Sequence, residues 1–288
     1  MEVFRAAVEE TGAEASVVQM RPRPQAQLRP TEVAAAAFHG AALVIELTSR
    51  FVQHSKARQD GQQRGLRYLF IGDIDADMLR GPGAVCADFH ALAPRIERVA
   101  DFVTNADRMR LTSAAGTDIT VSAEGRPGRA LTGLATQPGQ FGAPPFLEAG
   151  VVPVAGTANG TVVVDAYCVG IGLVDEAFTV QVESGRVVDI DGGPQGAELM
   201  RLLRSADNPN AFGVSEIGIG LNDQAKLIDN VTSAEACYGT AHVAVGTTPA
   251  DPGIDVIDGG LHVDMVFRSP TIEIGDQVVM HDGALVDP

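Results

Sequence analysis

Near residue 110 the chain changes texture, and that change narrows the folds open to it more than any other feature. Before it, continuous apolar runs alternate with helical patterns; after it, short Val- and Ile-rich segments are separated by dense Gly and Pro. In the first part, SVVQMR, ALVIELT and LRYLFIG read as strands, the last two as buried parallel ones. Helices are expected around TEVAAAAFHGA, with Thr31 as N-cap, through HSKARQDGQQRG up to Gly65, and over FHALAPRIERVADFVTNA, followed by a strand at RMRLTS. This β-α-β-α-β order predicts an α/β N-terminal domain over residues 1–110, with a small doubly wound, mostly parallel sheet. The chain opens on an acidic amphipathic helix pattern, MEVFRAAVEETGAE, where such a domain normally opens on a strand. The expectation is therefore a truncated Rossmann-like domain that lacks its first strand.

Residues 111–288 predict a mostly antiparallel β (α+β) C-terminal metal-binding domain. GTDITVSAEG, GTVVVDAY, FTVQVESGRVVDIDGG, AHVAVG, LHVDMVF and TIEIGDQVVMHDG read as strands joined by tight turns, with hairpins at ESGRV and IGDQV. Helices are expected at PQGAELMRLLRSA and, shorter, near DQAKLIDNV.

Charge and composition exclude some partners. A formal net charge of −16 repels nucleic acid and anionic membrane surfaces. No stretch approaches the roughly 20 apolar residues of a membrane helix. Three cysteines without C-x-x-C spacing argue against a disulfide framework and read as small buried hydrophobes in a reducing, cytoplasmic compartment.

The chemistry-bearing residues cluster in the second half. His262 and Asp264, two apart in a strand-like run, share one face, and an imidazole beside a carboxylate is a two-point metal clamp. His242 sits in another apolar strand, where both ring nitrogens need partners and a metal supplies one. Glu216 in FGVSEIGIGLN and Glu148 in PPFLEAGVVPV are charges in runs too apolar to bury them unpaired. His242, His262 and Asp264 alone suit the two-His-one-carboxylate triad of non-haem iron. Adding Glu148 and Glu216 favours a two-metal site. Glu235 is either a supporting carboxylate or an exposed helix-end charge. His54 is either a cleft residue at a strand–helix junction or a structural one. His39, His90 and His281 read as surface or packing residues. No phosphate-loop, dinucleotide-binding or G-x-S-x-G motif is present.

At these positions the chain resembles the M29 metallopeptidases, the aminopeptidase T and aminopeptidase S group. The likeness rests on TSRFVQHSKAR at 48–58, GTDITVSAEGR at 116–126, PPFLEAGVVPVAGTANGT at 144–161, EIGIGLN with Glu216, GTAHVAVG with His242, and HVDMVFRSPTIEI with His262 and Asp264. It implies a two-metal site of zinc, cobalt or manganese held by Glu148, Glu216, His242, His262 and Asp264, and a homodimer. The chain departs from that pattern at Leu147, where the family has Gly, and near Pro249, where it has a tyrosine. The chain is also similar in size and local texture to the 2,5-dihydroxypyridine dioxygenases, which bind a single iron. The first expectation is an aminopeptidase T-type hydrolase, in which Glu148 or Glu216 takes a proton from a metal-activated water acting on a short peptide or small amide. The alternatives are a mononuclear iron dioxygenase cleaving a dihydroxylated pyridine or similar ring, and a degenerate biosynthetic or non-catalytic homologue.

Overall fold

The computed structural model describes residues 1–22, 29–49, 51–53, 55–72, 74, 83–249 and 253–286. His54, a residue singled out above, lies outside them. The chain forms a mixed α/β structure with mostly antiparallel sheets and few helices. It divides into two compact units, Met1–Ile74 with Leu134–Pro144, and Asp75–Gly133 with Pro145–Pro288. The cut therefore does not follow the change of texture at 110.

The first unit holds a three-stranded parallel sheet, ordered Leu43–Glu46, Arg67–Phe70, Phe141–Gly142. Its third strand comes from the returning segment and not from SVVQMR, which forms no regular structure. Val17 and Val18 there are 49% and 42% exposed, so no packing rewards an extended run. Thr31 caps the helix Glu32–Ala37 by accepting from the Ala34 amide, and Ser55 does the same for Lys56–Gln63. The opening helix, Glu2–Glu10, buries no residue. Glu46 is buried at the end of its strand and accepts from the Tyr68 hydroxyl at 2.7 Å, the Val52 amide at 2.8 Å, and the Thr48 hydroxyl.

The second unit is built on two antiparallel sheets. One has eight strands, running Arg186–Asp191, Phe178–Glu183, Asn159–Val164, Asp118–Ser122, Arg108–Thr112, Thr271–Ile274, Gln277–His281, Ala284–Leu285. The other has seven, running Gly172–Leu173, Tyr167–Cys168, His262–Arg268, Thr240–Gly246, Val214–Gly220, Glu148–Val151, Arg129–Leu131. Their apolar faces join one core with the helices Phe89–Thr104 and Gly193–Ser205. Leu92, Ile96, Val99 and Val103 of the first helix sit in that core, which is why it and the Arg108–Thr112 strand belong here and not with the parallel sheet. Ser184 and Gly185, both at positive φ, make the ESGRV hairpin.

The helix expected near DQAKLIDNV is displaced to Val231–Ala236. Asn222 Oδ1 takes the Gln224 and Ala225 amides and folds the segment into a turn, and Asn230 caps the helix that follows. The cysteines are all free: Cys168 is buried as expected, but Cys86 is exposed and Cys237 half-buried.

Candidate metal centre

Strand alternation sorts the seven-stranded sheet into two faces. Ala149, Val151, Ile217, Ile219, Ala241, Val243, Val245, Val263, Met265 and Phe267 point into the apolar core. The residues between them, Glu148, Glu216, His242, His262 and Asp264, therefore share the other face. The register then sets their rows. Glu216, Ala244 and Asp264 lie side by side, and Arg129, Gly150, Gly218, His242 and Val266 form the next row. The pairing shifts between Val214 and Glu216, which makes Ser215 an extra residue and brings Glu216 onto the polar face.

All five residues predicted from the sequence converge. His262 Nε2 lies 3.4 Å from Glu216 Oε2 and 3.3 Å from Asp264 Oδ1. His242 Nε2 lies 3.7 Å from Asp264 Oδ1, 3.9 Å from Glu216 Oε1 and 4.0 Å from Glu148 Oε2. Glu148, Glu216, His242 and Asp264 are buried, while the His262 side chain keeps 31% exposure. Two groups of donors are close enough to hold a metal ion: Glu216, His262 and Asp264, and Glu148, Glu216 and His242. Of the triad His242, His262 and Asp264 drawn from the sequence, His262 and Asp264 fall in the first group with Glu216, and His242 falls in the second.

The donor chemistry fits a divalent cation. Buried carboxylates are costly unless a cation meets them, and Glu148 Oε2, Asp264 Oδ1 and His242 Nδ1 have no hydrogen-bond partner. Ligand atoms about 2.1 Å from one ion stand about 3.0–3.4 Å apart in tetrahedral or octahedral geometry. The 3.3 and 3.4 Å separations around His262 match that spacing; the 3.9 and 4.0 Å separations around His242 exceed it.

Electrostatics tie the cluster together. His262 Nδ1 is 2.6 Å from the Thr247 carbonyl, which turns Nε2 toward the carboxylates. Burial opposes a charge on His262, but Asp264 and the Thr247 carbonyl outweigh it and push the pKa up to about 9. Burial alone would raise Asp264; the two histidines hold it well below the usual carboxylate range.

Two further residues belong to the site: the sequence hid one and left the other between two readings. Arg129 Nη2 contacts Glu148 Oε1 at 3.1 Å and also meets Glu216 Oε1. Read in GRPGRAL, it looks like an ordinary loop cation. Glu235 is not an exposed helix-end charge: it is buried, and burial together with Asp264 and Glu148 pushes its pKa well above the usual range. His39, His90 and His281 are exposed.

An apolar-backed sheet that gathers carboxylates and imidazoles at this spacing defines a candidate divalent-metal site. The chain belongs to the family of 2,5-dihydroxypyridine 5,6-dioxygenase, NicX, which matches residues 1–287. A relative of that name from Pseudomonas putida KT2440 is 26% identical over 217 residues, 67% of this chain and 58% of the relative, so the match spans little more than half of that protein's length. The structure of the 2,5-dihydroxypyridine dioxygenase from the same organism superimposes with a TM-score of 0.77 at 22% identity, covering 89% of this chain and 75% of that one. Wild-type AmpT from Thermus thermophilus gives 0.61 at 17% identity, covering 89% and 79%. At those identities the two structures show the shared fold. The family match overturns the first expectation: the chain falls with the dioxygenases, and the aminopeptidase-type hydrolase reading, with its M29 assignment, gives way. No helix among the described residues is long and apolar enough to cross a membrane.

Proposed function

We propose that this chain is an iron-dependent dioxygenase that opens a small dihydroxylated pyridine or similar ring. The observation that carries the reading is the family match over residues 1–287, falling on a chain whose Glu216, His262 and Asp264 stand at single-ion spacing. One imidazole and two carboxylates form a hard, borderline donor set suited to divalent iron. Bound iron supplies the redox chemistry that lets a closed-shell ring react with dioxygen.

The chain's own residues do the rest. Glu216, His262 and Asp264 hold the ion, with the Thr247 carbonyl fixing the His262 ring. Glu148, His242 and Glu235 are buried beside them. His262 is the exposed rim, so a flat substrate reaches the centre on that side. Burial beside Asp264 and Glu148 raises the Glu235 pKa, which favours a neutral group there over a further buried negative charge.

The test is metal analysis and oxygen uptake on anaerobically purified protein. Roughly one iron per chain, with oxygen consumed in step with loss of 2,5-dihydroxypyridine, is expected. An iron-loaded protein that takes up no oxygen with any dihydroxylated pyridine or benzene ring refutes the proposal.

A further inference from the structure

Arg129 is set among the metal-binding carboxylates by construction. Its strand is the edge of the seven-stranded sheet, and Arg129 pairs there with Gly150, which pairs with Gly218, which pairs with His242. Two long side chains, Arg129 and His242, thus enter one row from opposite ends and lean over two glycines. A Cβ on Gly150 would stand 3.3 Å from Arg129 Nη2, and one on Gly218 would stand 2.1 Å from His242 Nε2. The glycines leave the space that both side chains fill. The Arg129 side chain is 13% exposed and meets one oxygen of Glu148 and one of Glu216.

From this placement we infer that Arg129 is a built-in second cation of the centre, which fixes its capacity at one divalent ion and holds Glu148 as an ion-paired carboxylate. The inference rests on the centre being a metal site. Charge balance supports it. Glu148, Glu216 and Asp264 are three buried carboxylates. One guanidinium and one divalent ion neutralise them, whereas a second divalent ion leaves an excess positive charge in a site where uncompensated charge is costly. Arg129 also meets the same two carboxylates that, with His242, make the wider-spaced donor group. Removing the guanidinium frees that group.

Zinc ions titrated calorimetrically into the metal-free full-length chain, with metal per chain counted after gel filtration, decide the matter. The wild type is expected to bind one equivalent. Arg129→Ala is expected to bind twice as much, and Arg129→Ala with His242→Ala is expected to fall back to the wild-type value. Two ions in the wild type, or an unchanged single ion in Arg129→Ala, overturns the inference, while a wild type that still takes one iron and consumes oxygen leaves the dioxygenase reading standing. No zinc at all in the wild type sinks the metal site itself. If Arg129→Ala does not fold without metal, its refolding is followed by circular dichroism with excess zinc. Recovery with the doubled stoichiometry supports the inference, and failure to recover refutes it.

Discussion

A proton on His262 competes with the metal, and the structure sets the size of that competition. In the metal-free protein the His262 pKa stands at about 9, because Asp264 and the Thr247 carbonyl overcome the cost of burial. A cation needs the Nε2 lone pair, so binding must first displace that proton. At about pH 7, two units below this pKa, the apparent affinity is therefore reduced about 100-fold, or about 2.7 kcal/mol at 1.36 kcal/mol per unit. The sign for stability is opposite in the free protein. A folded pKa raised above the usual value of about 6.5 gives stability that is fully present below about pH 6.5 and is lost as pH rises through about 9. The assay is calorimetric titration of zinc at several pH values in two buffers of different ionisation heat. Affinity should climb close to tenfold per pH unit up to about pH 9, with about one proton released per ion. A flat affinity with no proton release refutes the reasoning.

Two further outcomes follow from close contacts elsewhere. In Gly218→Ala the new Cβ falls 2.1 Å from His242 Cε1, so the buried ring must retreat about 1.5 Å to reach ordinary contact, at a cost of about 1–3 kcal/mol. Replacing Gly in a strand usually stabilises, so a raised melting temperature in this variant counts against the packing described here. Burial raises the Glu46 pKa against the pull of its three hydrogen bonds, so its contribution is present below the usual carboxylate range and fades as pH rises through the raised value. Thermal denaturation of the wild type and Glu46→Gln should show a stability gap that narrows as pH rises above the usual carboxylate range; a widening gap reverses the assignment.

The five converging residues were legible because each sets a charge or an imidazole in a strand too apolar to leave it unexplained. Alternation put His262 and Asp264 on one face, and no long-range knowledge was needed. Arg129 was not legible, because an arginine among Gly and Pro is normally solvated; only the pairing of its edge strand with Gly150 turns it inward. Glu235 was left between two readings because its burial depends on where a short helix begins, which Asn230 decides. The third parallel strand was sought at SVVQMR, while the pairing partner lies some 120 residues downstream at Phe141–Gly142, a distance no local pattern spans. The chemistry was harder still. Carboxylates and histidines serve hydrolysis with two ions and oxygen chemistry with one, and motif spacing is blind to how many cations share them.

The extra residue at Ser215 makes the centre depend on register. Before the shift, Val214 opposes Val245; after it, Glu216 opposes Ala244 and stands level with Asp264. Lose the shift with every residue kept, and Ser215 would oppose Ala244 while Glu216 would oppose Val243, on the oily side of the sheet. Remove Ser215 itself, and Val214 and Glu216 would keep the partners they have, in regular alternation. The ion's ligand is held in place by the register of this strand against its neighbour, not by a fixed count of residues.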